Sequence, residues 1–159
     1  MDPTEPVFGH IEAISVGDPD TPLASARASK QARVEQPVVV RFGKDSEGLL
    51  DQASTRDSVW LDIMKSLQAA GRPVYVEIDR RSGRIVQFLQ PREQPIGAIQ
   101  ETAKGDAQVE LLLSHAIHAL RRNNPRYGEL LKRLREAQHG KKLVWVTETL
   151  DTHEILEVR

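Results

Sequence analysis

Two histidines three residues apart, His115 and His118, are the most chemically suggestive pair in the chain. On a helix that spacing puts both imidazoles on one face, where they could ligate zinc or another divalent ion. On a strand the odd offset sends them to opposite faces and no ion is shared. No Asp or Glu stands at a helical offset to complete a site, so a third ligand would have to come from elsewhere. The ordinary expectation is two imidazoles bordering a core, with no metal and no cofactor. Carboxylates come next. Glu77 and Asp79 share one face of a predicted strand, and Asp57 and Asp62 flank a predicted helix. General acid–base work needs two carboxyls whose pKa values are driven apart by burial, and surface placement is expected for all four.

Other catalytic patterns are missing. There is no Gly-x-Gly-x-x-Gly, and Gly43-Lys44 lacks the upstream glycine and following hydroxyl of a phosphate loop. No serine sits in a Gly-x-Ser-x-Gly elbow. The chain has no cysteine, which excludes disulfides, thiolate nucleophiles and Cys-ligated zinc. No catalytic residue is assigned, and a non-enzymatic role is expected.

A basic cluster is the main candidate for binding. Arg121, Arg122, Arg126, Lys132, Arg133 and Arg135, with Lys141 and Lys142, outnumber Glu129 and Glu136. Together with Arg80 and Arg81 in a hairpin turn, they form the expected interaction surface, suited to an acidic protein face or to phosphates. The formal net charge of −1 gives no overall pull toward nucleic acid or an anionic membrane. The 4% aromatic content is too low for a base-stacking platform. Asn124-Pro125-Arg126-Tyr127 matches a short docking motif of phosphotyrosine domains, but the same letters make a helix cap. Trp60 and Trp145 lie in apolar periodic segments and read as core anchors.

The elements that must position these groups follow from periodicity. A length of 159 residues fits one domain or two small lobes. With 39% apolar and 28% charged residues, the composition is that of a soluble globular protein. The acidic, proline-bearing start lacks the pattern of a secretory signal, and no apolar run reaches 18 residues, so a cytoplasmic location is the default. Residues 1–6 are expected to be a loose tail and 17–36 a mobile loop. Strands are predicted from Val7, over Pro37–Phe42 and over Ile96–Gln100. The clearest hairpin joins Pro73–Asp79 to Arg84–Gln90. Ser54 and Asp57 form a capping-box pattern opening a helix, whose face carries Val59, Trp60, Ile63, Met64 and Leu67 and which Gly71 ends.

In the second half, Val109–Leu113 reads as a buried strand. From His115 to Arg122 both periods fit, and a helix is favoured. Asn124 and Pro125 are placed as the cap and first residue of a further helix, which Gly140 ends. Leu143–Thr149 and Glu154–Val158 form a closing hairpin. No internal repeat is legible. The predicted architecture is α+β. A β-rich first lobe over residues 7–101, barrel-like in one arrangement, carries one helix, and a smaller lobe over 102–159 has strands and two helices. Separate cores and a shared one both fit, and an unpaired strand edge would allow a dimer.

Several segments resemble one bacterial group: Gly71-Arg72-Pro73-Val74-Tyr75-Val76-Glu77-Ile78-Asp79, Ser114-His115-Ala116, Leu120-Arg121-Arg122-x-Asn124-Pro125, and Val146-Thr147-Glu148-Thr149 with His153-Glu154-Ile155. They are similar to an uncharacterised domain associated with the region that precedes protein-glutaminase (protein-deamidating) catalytic domains. The likeness covers roughly the last 90 residues. Glutaminase chemistry in that group uses a cysteine nucleophile with a histidine, and this chain has no cysteine. The resemblance therefore implies an accessory module that binds, restrains or delivers a catalytic unit, with another protein as partner. Nucleic-acid binding by a small β-barrel, or a small metal-binding protein using His115 and His118, are the alternatives.

Overall fold

Strands form where β-branched residues alternate with polar ones, and the computed structural model describes them over residues 3–17 and 35–159. The loop expected over 17–36 lies almost wholly outside the described residues. The observed class is the β-rich α+β one. The chain divides into two units, Met1–Gln90 and Pro91–Arg159, each with its own apolar core. The boundary falls at residue 90 rather than 101, because the strand after Gln90 pairs entirely with later strands.

The first unit contains β1 (Thr4–His10), β2 (Ala13–Val16), β3 (Pro37–Phe42), β4 (Ser46–Asp51), α1 (Thr55–Ala69), β5 (Pro73–Asp79) and β6 (Ile85–Leu89). Its two antiparallel sheets run β1-β5-β6 and β2-β3-β4. Only the buried Ile11 and the exposed Glu12 separate β1 from β2, so the pair acts as one bent strand contributing to both sheets. A single parallel bridge, Leu49 to Arg84, links β4 to the start of β6. The strands thus curl around Val38, Val40, Leu50, Val74, Val76 and Ile85 without closing a full ladder. Helix α1 covers one side with Leu61, Met64 and Leu67.

The second unit repeats this plan. It holds β7 (Arg92–Glu101), β8 (Ala107–Leu111), β9 (His118–Leu120), α2 (Tyr127–Gly140), β10 (Leu143–Glu148) and β11 (Ile155–Val158), in sheet order β11-β10-β7-β8-β9. Strand β7 is the counterpart of bent β1–β2, pairing first with β10 and then with β8. Its parallel bridge joins Ala119 to Glu154, each 70 residues beyond Leu49 and Arg84. The same 70-residue register relates the strand irregularities at Glu77/Ile78 and Thr147/Glu148. It also relates the left-handed residues Gly71 and Lys141, and Gly83 and His153. Gln68 donates to the Glu12 carbonyl at 3.3 Å, as Gln138 does to that of Gly97 at 2.8 Å. The chain is therefore a structural duplication, contrary to the sequence reading of no internal repeat.

Several local expectations are corrected. Residues 4–6, expected in a loose tail, belong to β1 and pair with Asp79, Ile78 and Glu77. The favoured helix over His115–Arg122 is instead a turn followed by strand β9, so the second unit has one helix rather than two. Backbone pairing of β9 with β8 overrides the helical stripe. Asn124 is not the cap of α2: the helix starts at Tyr127 with Arg126 as its N-cap and no side-chain cap bond, and Asn124 Oδ1 instead accepts from Arg126 N at 2.8 Å in the preceding turn. The C-terminal left-handed residue of α2 is Lys141, not Gly140. On α1, Val59 faces solvent, and the buried face runs through Asp57, Leu61, Met64 and Leu67.

Asp57 is the polar anchor of the first unit. Ser54 Oγ accepts from Asp57 N at 3.4 Å, which satisfies one donor of the helix start. The Asp57 carboxylate does not return to Ser54. It accepts Asp51 N at 2.8 Å and pairs with Arg56 at 3.0 Å and Arg84 at 3.3 Å. The carboxylate is fully buried while both guanidinium groups reach solvent. Asp57→Ala should then cost about 2–3 kcal/mol, below the roughly 3–5 kcal/mol for a pair buried on both sides, since the arginines rehydrate. Denaturant unfolding followed through Trp60, in a Trp145→Phe background, measures it. An unshifted midpoint would show that the helix start holds without this carboxylate.

Candidate functional site

The residues the sequence singled out for chemistry are mostly structural. Glu77 accepts from the Tyr75 hydroxyl at 3.2 Å. Asp79 holds the β5–β6 turn, accepting from Arg81 N, Ser82 N and Ser82 Oγ at 2.8, 2.8 and 3.1 Å. These bonds, led by the one from the Ser82 backbone, keep the Asp79 carboxyl below its usual range. Asp62 is exposed on α1.

The basic cluster is largely neutralised by ion pairs. Arg121 meets Asp106 at 3.1 Å and Glu154 at 3.9 Å. Lys132 meets Glu136 at 3.7 Å, and Arg135 meets Glu101 at 3.1 Å. Arg126 pairs with Glu129 at 2.9 Å and, in a close contact, with the buried Glu157. Arg133 adds Glu129 at 2.6 Å, Glu157 at 3.5 Å and the Val158 carbonyl at 2.7 Å. Arg122 places its guanidinium 6.0 Å from the centre of the Tyr127 ring. In the first unit Arg80 lies 3.9 Å from Glu5. Arg81 remains exposed at the turn.

His115 and His118 separate. His115 stands exposed in the turn after β8, whereas His118 opens β9 and is fully buried. The ligand atoms that come together around His118 do not include His115. His118 instead meets three residues that sequence reasoning did not assign to a site. Its Nε2 lies 2.8 Å from Ser114 Oγ. Its Nδ1 makes a close contact with Glu148 Oε2. The other Glu148 oxygen lies 3.3 Å from His153 Nδ1, and the two imidazole rings pack edge to face with centroids 5.3 Å apart.

Each member is placed by the five-stranded sheet and its corner. His118 is paired opposite Val109 on β8. His153 occupies the left-handed corner before β11, with φ 52°, and its carbonyl accepts from Ala119 N at 3.1 Å. That bond sets His153 beside the residue following His118. Glu148 ends β10 at a register shift, a device that re-aims a side chain. Ser114 follows β8, where its backbone N donates to the Leu111 carbonyl and its Oγ accepts from Ala116 N at 3.3 Å.

Two chemistries fit such a cluster. Ser114, His118 and Glu148 have the order of a hydroxyl–imidazole–carboxylate relay, with Nε2 toward the hydroxyl and Nδ1 toward the carboxylate. A nucleophilic serine also needs N–H donors converging on the oxyanion it creates. The nearby N–H groups of Ser114 and Ala116 are already committed to Leu111 and to Ser114 Oγ. The second chemistry is metal ligation: one ligand atom each from His118, Glu148 and His153 lie within 4.8 Å of one another.

One signal could have revealed the site from sequence: the 70-residue register aligns Gly48, Ile78 and Gly83 with His118, Glu148 and His153.

The acidic partner of the ion-pair network gives a pH dependence. The hydrogen bond from Arg126 holds the Glu129 carboxyl well below its ordinary 4.5, at about 2. A depressed carboxyl contributes stability present above its unfolded value and lost as pH falls through its folded value. Glu129→Gln should therefore melt lower than the parent at neutral pH, with the gap shrinking between about 4.5 and about 2 and absent below. Thermal unfolding across that range checks it; a gap independent of pH would assign the effect to packing. No family model, curated protein or solved structure matches the chain, so the chemistry of its site rests on geometry alone.

Proposed function

We propose that the chain is a non-enzymatic protein-interaction module, accessory to a separate catalytic domain, whose contact surface is the loop of the second unit between β8 and β9. The observation that carries this reading is a run of exposed apolar side chains. Leu112, Leu113 and Ile117 are 57%, 72% and 72% exposed within six residues. Clustered apolar exposure costs solubility and marks contact sites. The equivalent turn in the first unit is Gly43-Lys44-Asp45, with Glu47 standing where Ile117 stands. The fold therefore forms this connection with polar residues, and the apolar ones serve something else. Beside the loop a cavity of about 240 Å³, lined by Ala98, Gln100, Gln108, Val109, Glu110, Ala116 and Ile117, mixes apolar and hydrogen-bonding groups. That mixture suits a protein segment. The accessory role extends the expectation drawn from the sequence resemblance to domains preceding protein-glutaminase catalytic regions.

Nucleic-acid binding is the competing reading, favoured by connectivity. With β1–β2 counted as one strand, each unit is a five-stranded, incompletely closed barrel with a helix between its third and fourth strands, as in OB-folds that bind oligonucleotides. The chemistry of the surface speaks against it. Strands β8 and β9 carry Gln108, Glu110 and Ala119 outward and no aromatic ring, and most arginines of α2 are paired with carboxylates. Base stacking and unpaired cations are what such proteins use. Among the described residues no helix is long and apolar enough to cross a membrane.

The test compares capture of partners from native lysate by the parent, by Leu113→Asp/Ile117→Asp and by Arg80→Glu/Arg81→Glu. The reading expects a discrete protein retained by the parent and by the arginine variant, with at least a tenfold loss for the loop variant, about 1.4 kcal/mol or more. Undiminished capture by the loop variant refutes it. Salt-sensitive recovery of RNA or DNA would move the assignment to nucleic acid. Loop-dependent self-association in ultracentrifugation would make the partner a second copy.

A further inference from the structure

The cluster under the loop is not explained by protein contact, and the first unit shows that folding does not require it. At the equivalent positions stand Gly48, Ile78 and Gly83. A Cβ on Gly48 would lie 2.5 Å from Ile85 Cγ1 and 3.4 Å from Ile78 Cδ1, so apolar side chains fill the space there. The backbone bonds of the two corners are the same. Asp79 N donates to Arg84 O at 2.8 Å and Thr149 N to Glu154 O at 2.9 Å. The first unit also meets the positive φ at this corner with glycine, whereas the second unit carries a histidine there at φ 52°. Left-handed backbone disfavours residues with a Cβ. Three departures from an apolar, glycine-containing solution converge on one point, and all three introduce a metal-ligating group.

We propose that His118, Glu148 and His153 bind a divalent cation of the zinc class. Each imidazole supplies its Nδ1 and Glu148 a carboxylate oxygen, with water in the fourth position. Zinc holds nitrogen and oxygen ligands at about 2.0–2.2 Å, which places them roughly 3.3–3.5 Å apart in a tetrahedron. The present separations, within 4.8 Å, close to that with side-chain rotation of Glu148 and the half-exposed His153. Two imidazoles with one carboxylate and no thiolate match the donor preference of such ions. Binding displaces the hydrogen bond between His118 Nδ1 and Glu148, so the neutral ring carries its proton on Nε2. Ser114 Oγ, 2.8 Å away, accepts it. Metal-bound histidines are held by such a partner on the second nitrogen. Ser114 Oγ is itself fixed by Ala116 N, which ties the apolar loop to the ion.

The experiment uses the full chain stripped with chelator and titrated with zinc by calorimetry, and with cobalt(II) by visible absorption. One ion per chain is expected, with zinc raising the melting temperature. Ser114→Ala should weaken binding by about 10–100-fold, the usual loss for such a supporting group. Glu148→Gln and His153→Gly should weaken it beyond that. His153→Gly restores the glycine found at this corner of the first unit, so it keeps the fold while removing a ligand. Its melting temperature without metal should equal or exceed the parent's, and zinc should not raise it. His115→Ala and His139→Ala should bind as the parent does. Absence of binding up to about 1 mM metal, the limit of weak association, overturns the proposal. So does unchanged affinity in His153→Gly, or loss in His115→Ala.

Discussion

Each unit depends on one backbone hydrogen bond that draws its two terminal strands together. Leu49 N donates to the Gly83 carbonyl at 2.9 Å in the first unit, and Ala119 N to that of His153 at 3.1 Å in the second. The accepting residue has left-handed backbone in both, which turns its carbonyl toward the neighbouring strand as the hairpin ends. Without that corner, β4 and β6, or β9 and β11, would lose the bridge that joins them. The bent strand performs the complementary task by serving both sheets. Between them these two devices curl five strands around a small core without a complete ring of ladder bonds.

The same corner accounts for the location of the polar cluster. A bond from Ala119 to His153 sets His118 and His153 within side-chain reach whatever their identity, and the irregularity at Thr147/Glu148 turns the last residue of β10 toward them. The three positions are neighbours because of topology. In the first unit that proximity is used for apolar packing by Ile78 and Ile85 against Gly48. In the second it gathers imidazoles and a carboxylate. Elsewhere the two units also place charge differently. Asp57 anchors the first helix with two arginines, whereas in the second unit the buried carboxylate is Glu157, reached by Arg126, Arg133 and Arg159.

Much of the scaffold was legible in the sequence. The hairpins at Pro73–Leu89 and Leu143–Val158 announced themselves through alternation and turn residues, and Ser54 and Gly71 bounded the first helix. Strand β9 did not, because three residues, His118-Ala119-Leu120, carry too little periodicity to compete with the helical spacing of Leu113, Ala116, Ile117 and Leu120. Pairing with β8, a long-range effect, decides it. The duplication was hidden for a related reason. Spacing and backbone conformation persist between the units but few side chains do, Gln68/Gln138, Val74/Val144 and Val76/Val146 among them, and longer chain between β2 and β3 than between β7 and β8 breaks the register at the front. The spacing of His118 points to His115, yet besides Ser114 its companions lie 30 and 35 residues away, joined by pairing that no local pattern encodes.

The glycine-lined corner of the first unit makes the molecule its own blank. Both halves share a solvent, a concentration and a backbone plan, so a spectroscopic or calorimetric response confined to the second half traces to a few substitutions rather than to the fold. Few single chains carry such an internal reference. Here it arises because one copy of the motif carries hydrocarbon where the other carries nitrogen and oxygen.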